Sequence, residues 1–184
     1  DGSKLLNSYA EYQYIADLMQ WYQDLKEYTF ETHTEWGHIT SGKWVVKGRT
    51  NSMKQNWSTH MFADGREALL KVIRNCLDNP LLAEQGLVVR KYIPLRQVGV
   101  LLHGLPVSRE WRCFFYKETL LSSGLYWSNG DYDTPLPEEG VKFVKKIAEI
   151  VAKKTNFFVI DVAEKEEGGY IVVELNDSQM SGLS

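Results

Sequence analysis

The chain has 184 residues, 43% of them hydrophobic and 24% charged, with a formal net charge of −3. That composition belongs to an ordinary globular domain, of a length that allows two lobes, and it excludes the disordered and low-complexity classes. The slight acidity argues against a nucleic acid held across a broad basic surface, while leaving room for one held by a local Lys/Arg cluster in a cleft; a small ligand is the expectation. Cys76 falls in a helical pattern and Cys113 in a strand pattern, with no CxxC and no Cys/His metal spacing, so both are read as reduced core thiols. No apolar run approaches the roughly 18 residues of a membrane span and no leader pattern is visible, which points to a cytoplasmic protein. The opening Asp1-Gly2-Ser3, where a Met is expected, is read as a remnant or the edge of an excised fragment.

Tyr14, Leu18, Trp21, Tyr22 and Leu25 recur at helical spacing and predict one amphipathic helix over about residues 8–28. A loop rich in Thr, His, Gly and Ser leads to the short strand Lys43-Trp44-Val45-Val46-Lys47, followed by the cationic segment Gly48-Arg49-Thr50-Asn51-Ser52-Met53-Lys54. Leu69, Val72, Ile73 and Cys76 predict a second helix from near Asp64, stopped by Asp78-Asn79-Pro80. Gly86 then releases a strand over 87–93 that Pro94 ends. Further strands are predicted over 97–103, 110–115 and 120–127 as a meander, the last two turning at Lys117-Glu118-Thr119. Asn129-Gly130-Asp131 marks a loop, and Val144, Ile147, Ala148 and Val151 mark a third helix over about 137–154. The pattern is α+β, with mainly antiparallel strands and helices on one side. Trp36, Trp57, Trp111 and Trp127 exceed what the helices need for packing, and a surface cluster of them would favour a protein or peptide partner. His33, His38, His60 and His103 are scattered in loops and at strand ends and are read as structural or exposed.

The final stretch carries the most information. Residues 157–163 and 170–177 read as two apolar strands joined by a Glu- and Gly-rich turn. Strand side chains alternate, so Asp161 shares a face with Ala163, and Glu174 shares one with Val172 and Asn176. A four-residue loop at 166–169 would set Asp161 directly opposite Glu174, with Cβ atoms about 4.5–5.5 Å apart. Two readings follow. One is an ordinary solvated sheet face that binds nothing. The other is a carboxylate pair whose repulsion is relieved by a dication with oxygen ligands. The near-continuous apolar character of both strands favours the second, because a buried carboxylate without a partner is costly.

Along the chain the cations come first and the acids last: Lys47 and Arg49, Arg90 and Lys91, Glu110 with Arg112, then Asp161, Glu174 and Asn176. A nucleoside triphosphate with its magnesium needs that inventory: cations for phosphate oxygens, an apolar strand backbone for adenine, carboxylates for the metal. Singly, Lys47 reads equally well as a surface strand-end lysine, and Arg90 and Arg112 as ion-pair partners. Together, Trp44-Val45-Val46-Lys47-Gly48-Arg49, Val88-Val89-Arg90-Lys91-Tyr92-Ile93-Pro94, Glu110-Trp111-Arg112-Cys113-Phe114, Ile160-Asp161-Val162 and Val173-Glu174-Leu175-Asn176-Asp177 resemble the ATP-grasp superfamily. Within it they resemble the clade of small and phage-type members named for two arginines and a lysine. The likeness runs from about residue 43 to the C-terminus, and the Asp followed on the next strand by Glu-x-Asn is its most specific part.

The resemblance implies an ATP-grasp fold, mainly antiparallel sheets in two lobes with ATP between them. It implies an N-terminal helix and loop over 1–42, an N-lobe over about 43–94 and a C-lobe over about 95–184. Lys47 would contact phosphate, with Arg49 in a phosphate-covering loop, while Arg90, Lys91, Tyr92 and Ile93 would form the hinge strand along adenine. Arg112 would lie near the transferred phosphoryl group with Glu110 beside it, making Lys47 and Arg112 the catalytic residues. Asp161, Glu174 and Asn176 would hold Mg2+, with Asp177 a further candidate for metal or substrate. The sequence departs from the pattern in two places: the covering loop has a single glycine, and the hinge carries Arg90-Lys91 where many relatives carry an acid. No separate preceding domain of the usual kind is visible.

The implied activity is ATP-dependent joining of a carboxylate to an amine through an acylphosphate, with a peptide or protein among the candidate substrates. The absence of G-x-S-x-G, P-loop and HExxH motifs agrees with chemistry that needs no protein nucleophile. The motif around Arg112 also resembles a branch of ATP-binding assembly chaperones, including one that assembles a translation initiation factor. A nucleotide-free binding module is a third reading. The charge balance and the lack of a KxDG lysine disfavour a nucleic-acid ligase.

Overall fold

The computed structural model describes residues 4–101, 104–127 and 134–182. The chain divides into two compact units, one of residues 30–93 and 97–107, the other of residues 1–29, 94–96 and 108–184.

In the first unit four antiparallel strands lie in the order β1 (Thr32–His33), β4 (Leu87–Lys91), β2 (Lys43–Gly48), β3 (Phe62–Asp64). Alternation divides their residues cleanly. Trp44, Val46, Leu87 and Val89 face α3 (Arg66–Leu77) and α4 (Pro80–Gln85) and form a buried core with Leu69, Val72, Ile73, Cys76 and Leu82. The second helix starts at Arg66 rather than near Asp64, because Phe62 to Asp64 pair with β2 and Gly65 turns the chain at φ +84°. Asp78-Asn79-Pro80 does stop α3, but it also begins α4: the Asn79 side chain accepts from the N–H groups of Leu81 and Leu82, and Pro80 sits where no N–H is needed. Between Gly48 and β3 the chain makes a 3-10 turn over Lys54–Asn56 and a wide helical turn over Trp57–Met61, neither of which was expected from the sequence. The ribbon of β5 (Gln97–Val100) and β6 (Pro106–Ser108) is shorter than the strand expected over 97–103, of which residues 102 and 103 lie outside the described residues.

In the second unit the order is β10 (Tyr170–Asp177), β9 (Phe157–Glu164), β7 (Glu110–Tyr116), β8 (Thr119–Leu125), all antiparallel. Phe115 stacks on Phe158 at 5.5 Å, and α5 (Glu138–Val151) packs on β9 with Val144, Ile147, Ala148 and Val151 buried. The helix expected over 8–28 is two helices, α1 (Tyr9–Ala16) and α2 (Leu18–Leu25). Asp17 breaks it by leaving helical backbone angles and turning its carboxylate onto the Met19 N–H at 3.0 Å. Ser8 and Glu11 form a reciprocal cap at the start of α1. Ahead of it, buried Asn7 is sewn to the far end of the sheet: its amide donates to the Phe157 carbonyl and the Asp177 carboxylate, and its oxygen accepts from the Phe157 N–H and the Thr155 hydroxyl. Trp111 is fully buried, so it belongs to the core and not to a surface cluster of tryptophans. The loop read at Asn129-Gly130-Asp131 lies outside the described residues.

The β9–β10 hairpin departs from the expected geometry while keeping its consequence. Tyr170 pairs with Glu164, so residues 165–169 form a five-residue loop, and a bulge between Val172 and Glu174 takes up one residue. Below the bulge Glu174 is the partner of Asp161. Bulges of this kind bend a strand and re-aim the side chain beside them.

Candidate functional site

In the first unit the face of the sheet opposite α3 carries the cations. Val45 pairs with Arg90 and Lys47 with Val88, which places Lys47 and Arg90 on one face as diagonal neighbours. Both are buried. The Arg90 guanidinium lies over the Phe30 ring, 4.6 Å from its centre. Phe62, opposite Val45, lies on the same face, and its ring meets Tyr92 edge-on at 5.1 Å and Trp57 in a stack at 5.8 Å. Lys91 is exposed and turned to Glu31, 3.4 Å from its carboxylate, so strand alternation separates it from Arg90. Ile93 is half-buried. Arg49 leaves β2 through Gly48, where a Cβ would stand 2.8 Å from Leu82 Cδ2 and 3.2 Å from the Asn51 carbonyl, so a larger residue would force Leu82 to shift. The helical turn over Trp57–Met61 that follows is fastened to α3, through Asn75 Nδ2 to the Thr59 carbonyl at 2.7 Å and the Cys76 thiol to the His60 carbonyl at 2.9 Å.

In the second unit Arg112, Asp161 and Glu174 form a row across three neighbouring strands, since Arg112 pairs with Asp161 and Asp161 with Glu174. Glu110 and Asn176 lie on the same face. Asp161 is 1% exposed, and the Arg112 fork grips it with Nε to Oδ1 at 2.9 Å and Nη2 to Oδ2 at 2.8 Å. Asn176 Nδ2 adds a bond to Oδ2 at 3.0 Å. Burial alone would lower the pKa of Arg112, but the hydrogen bonds and charge of Asp161 more than reverse this, so the guanidinium is held charged. Glu110, also buried, accepts from the Ser108 hydroxyl and the Trp127 indole, both at 3.1 Å. Asp177 points to the other face, where it holds Asn7 and Gln179, and so stands apart from the row.

The oxygen donors of Asp161, Glu174 and Asn176 fit a hard cation, which takes one or two carboxylates and completes its shell with phosphate oxygens and water. Among the described residues no three His, Cys, Asp or Glu side chains gather as a metal site. Sequence reasoning missed Tyr126 and Ser108. Tyr126 lies just past β8, with its ring 4.5 Å from the Arg112 guanidinium and its N–H on the Glu110 carbonyl at 2.9 Å. Only the pairing of β8 with β7 brings it there, and no spacing rule in the sequence announces it.

Comparison with known proteins bears on the fold and the family. No curated protein matches the sequence. Among solved structures, Cdc123 from Schizosaccharomyces pombe is similar at a TM-score of 0.64 and 15% identity, over 97% of this chain and 90% of that one. D-alanine–D-alanine ligase from Bacillus anthracis, solved with ATP, is similar at 0.62 and 15% identity, over 96% of this chain and 61% of that one. A RimK domain ATP-grasp protein from Sphaerobacter thermophilus gives 0.58 and 16%, over 96% of this chain and 63% of that one. At these identities the likeness is one of fold, and the chain spans less than two thirds of the last two proteins. A family model for an ATP-grasp domain, family 3 of the clade named for two arginines and a lysine, matches residues 34–184. With the greater part of its length matched, the chain belongs to the ATP-grasp proteins, in the third family of that clade.

Proposed function

We propose that the protein is an ATP-dependent carboxylate–amine ligase acting through an acylphosphate, with a peptide or protein among its substrates. The observation that carries this reading is the row of Arg112, Asp161 and Glu174 across β7, β9 and β10. Lys47 and Arg49 would bind phosphate oxygens, and the strand from Arg90 through Lys91 and Tyr92 to Ile93 would run along the adenine by its backbone. Asp161, Glu174 and Asn176 would hold Mg2+, which when bound neutralises charge on the phosphates. Arg112, with Glu110 beside it, would stabilise charge developing on the transferred group. An acceptor carboxylate oxygen forms a bond to the γ-phosphorus as the bond from that phosphorus to the β–γ bridging oxygen breaks, and ADP leaves. The amine nitrogen then bonds to the acyl carbon, the carbon–oxygen bond to phosphate breaks, and the amine proton departs with phosphate. Among the described residues no helix is long and apolar enough to cross a membrane; a cytoplasmic setting is part of the proposal.

A second reading, an ATP-binding assembly chaperone, is favoured by the engagement of Asp161 with Arg112 and Asn176. Calorimetric titration of ATP with and without Mg2+, on the wild type and on Asp161→Ala/Glu174→Ala, tests the nucleotide site. Magnesium-dependent binding lost in the double variant, followed by hydroxylamine trapping of an acylphosphate with candidate carboxylates, would support the ligase. Binding without turnover would favour the chaperone, and no binding to the wild type would refute both.

A further inference from the structure

We propose that Arg112 is a resident stand-in for the divalent cation on Asp161, and that Tyr126 is the residue that positions it there. The inference rests on the metal assignment given above. A carboxylate buried this deeply, with Glu174 as its partner on the next strand, needs a cation beside it. The guanidinium fork meets that need through both carboxylate oxygens, at 2.9 and 2.8 Å. Its remaining edge is tethered by Nη1 to the Gly182 carbonyl at 3.2 Å, and its face rests on Tyr126.

A dication approaching Asp161 therefore meets a fixed positive charge and oxygens that already accept hydrogen bonds. To bind with full strength it must displace the fork. A displaced Arg112 presents the same pair of parallel N–H groups to a phosphoryl oxygen, for which a guanidinium is suited as well as for a carboxylate. Arrival of metal with nucleotide would thus move one arginine from carboxylate to phosphate, and the row would keep its charge balance before and after.

Binding of Mn2+ to the nucleotide-free full chain, followed by electron paramagnetic resonance, tests this. Arg112→Gln is expected to bind Mn2+ about tenfold or more tighter than the wild type, since the guanidinium that occupies both Asp161 oxygens is removed. Tyr126→Leu, which loosens the perch, is expected to bind roughly two- to fivefold tighter, whereas Tyr126→Phe, which keeps the ring, is expected to match the wild type. Asp161→Asn should abolish binding, and circular dichroism reports whether each variant folds. Wild-type binding with Arg112→Gln folded and no tighter would overturn the inference while leaving the metal site standing. Should Arg112→Gln fail to fold, Tyr126→Leu decides in the same way. No Mn2+ binding to any form would overturn the inference and the metal assignment together.

Discussion

Asn7 lies outside the segment matched by the family model, yet the sheet that carries the acids depends on it. Replacing it with Ala removes both bonds of its oxygen, so the buried Thr155 hydroxyl at 3.3 Å and the Phe157 N–H at 2.9 Å lose the acceptor they share. Leaving two such groups without partners costs about 1–3 kcal/mol each. Asp177 loses the Asn7 amide at 2.9 Å but keeps Gln179, whose N–H stands at 3.1 Å and whose side-chain amide at 3.3 Å, so its share is small. The expected loss is about 2–6 kcal/mol, a large part of the roughly 5–15 kcal/mol that holds a domain together. Urea denaturation followed by circular dichroism measures it, with buried Trp21 on α2 as a fluorescent reporter of the same unit. Asn7→Asp should be worse at neutral pH, because it sets a second carboxylate against Asp177, and should recover in acid. A loss below about 1 kcal/mol for Asn7→Ala would show that the reasoning from unsatisfied groups fails here.

Two further outcomes follow from the titratable groups. The Ser8 N–H, then its hydroxyl, hold Glu11 below its ordinary pKa of 4.5, and Asn156 adds to them against the opposing effect of burial. A depressed folded pKa contributes stability above the unfolded value and loses it as pH falls through the folded one. The advantage of wild type over Glu11→Gln in thermal melts should therefore be constant at neutral pH and shrink below 4.5. Burial pushes the Cys113 thiol up to about 12, with the Asp161 charge adding to it, and pushes Cys76 up to about 11. Neither should react with a disulfide reagent at mildly alkaline pH in the native protein, and both should react after unfolding.

Strand alternation made much of the site legible, because it depends only on counting by two. That is why Lys47 and Arg90 share a face and why Glu110, Arg112 and Asp161 do. The opposition of Asp161 and Glu174 was expected from a four-residue loop; it arises from a longer loop and a bulge, two irregularities that offset each other. The break at Asp17 was hidden because Tyr14, Leu18, Trp21 and Leu25 keep helical spacing across it, and only a carboxylate two residues before Met19 hints at a cap. The helical turns over 54–61 carry no strong period, and their anchors on Asn75 and Cys76 are distant in sequence. Tyr126 was invisible for the same reason: a perch for an arginine is a tertiary fact.

The two units are nested in the chain, and this has a consequence for synthesis. Residues 1–29 belong with 108–184, while 30–93 complete a sheet and core of their own in between. On a ribosome, Ile15, Leu18, Trp21 and Leu25, all buried in the folded protein, emerge before the intervening unit and wait for partners that include β10, which is made after it. At about 5–20 residues per second that wait lasts roughly 8–30 s, during which the intervening unit can fold but the N-terminal helices remain apolar and uncovered. A chain trimmed to the matched family segment would never meet this delay, and would instead leave β10 without the Asn7 clasp at Asp177 and the Thr29 contact at Val172.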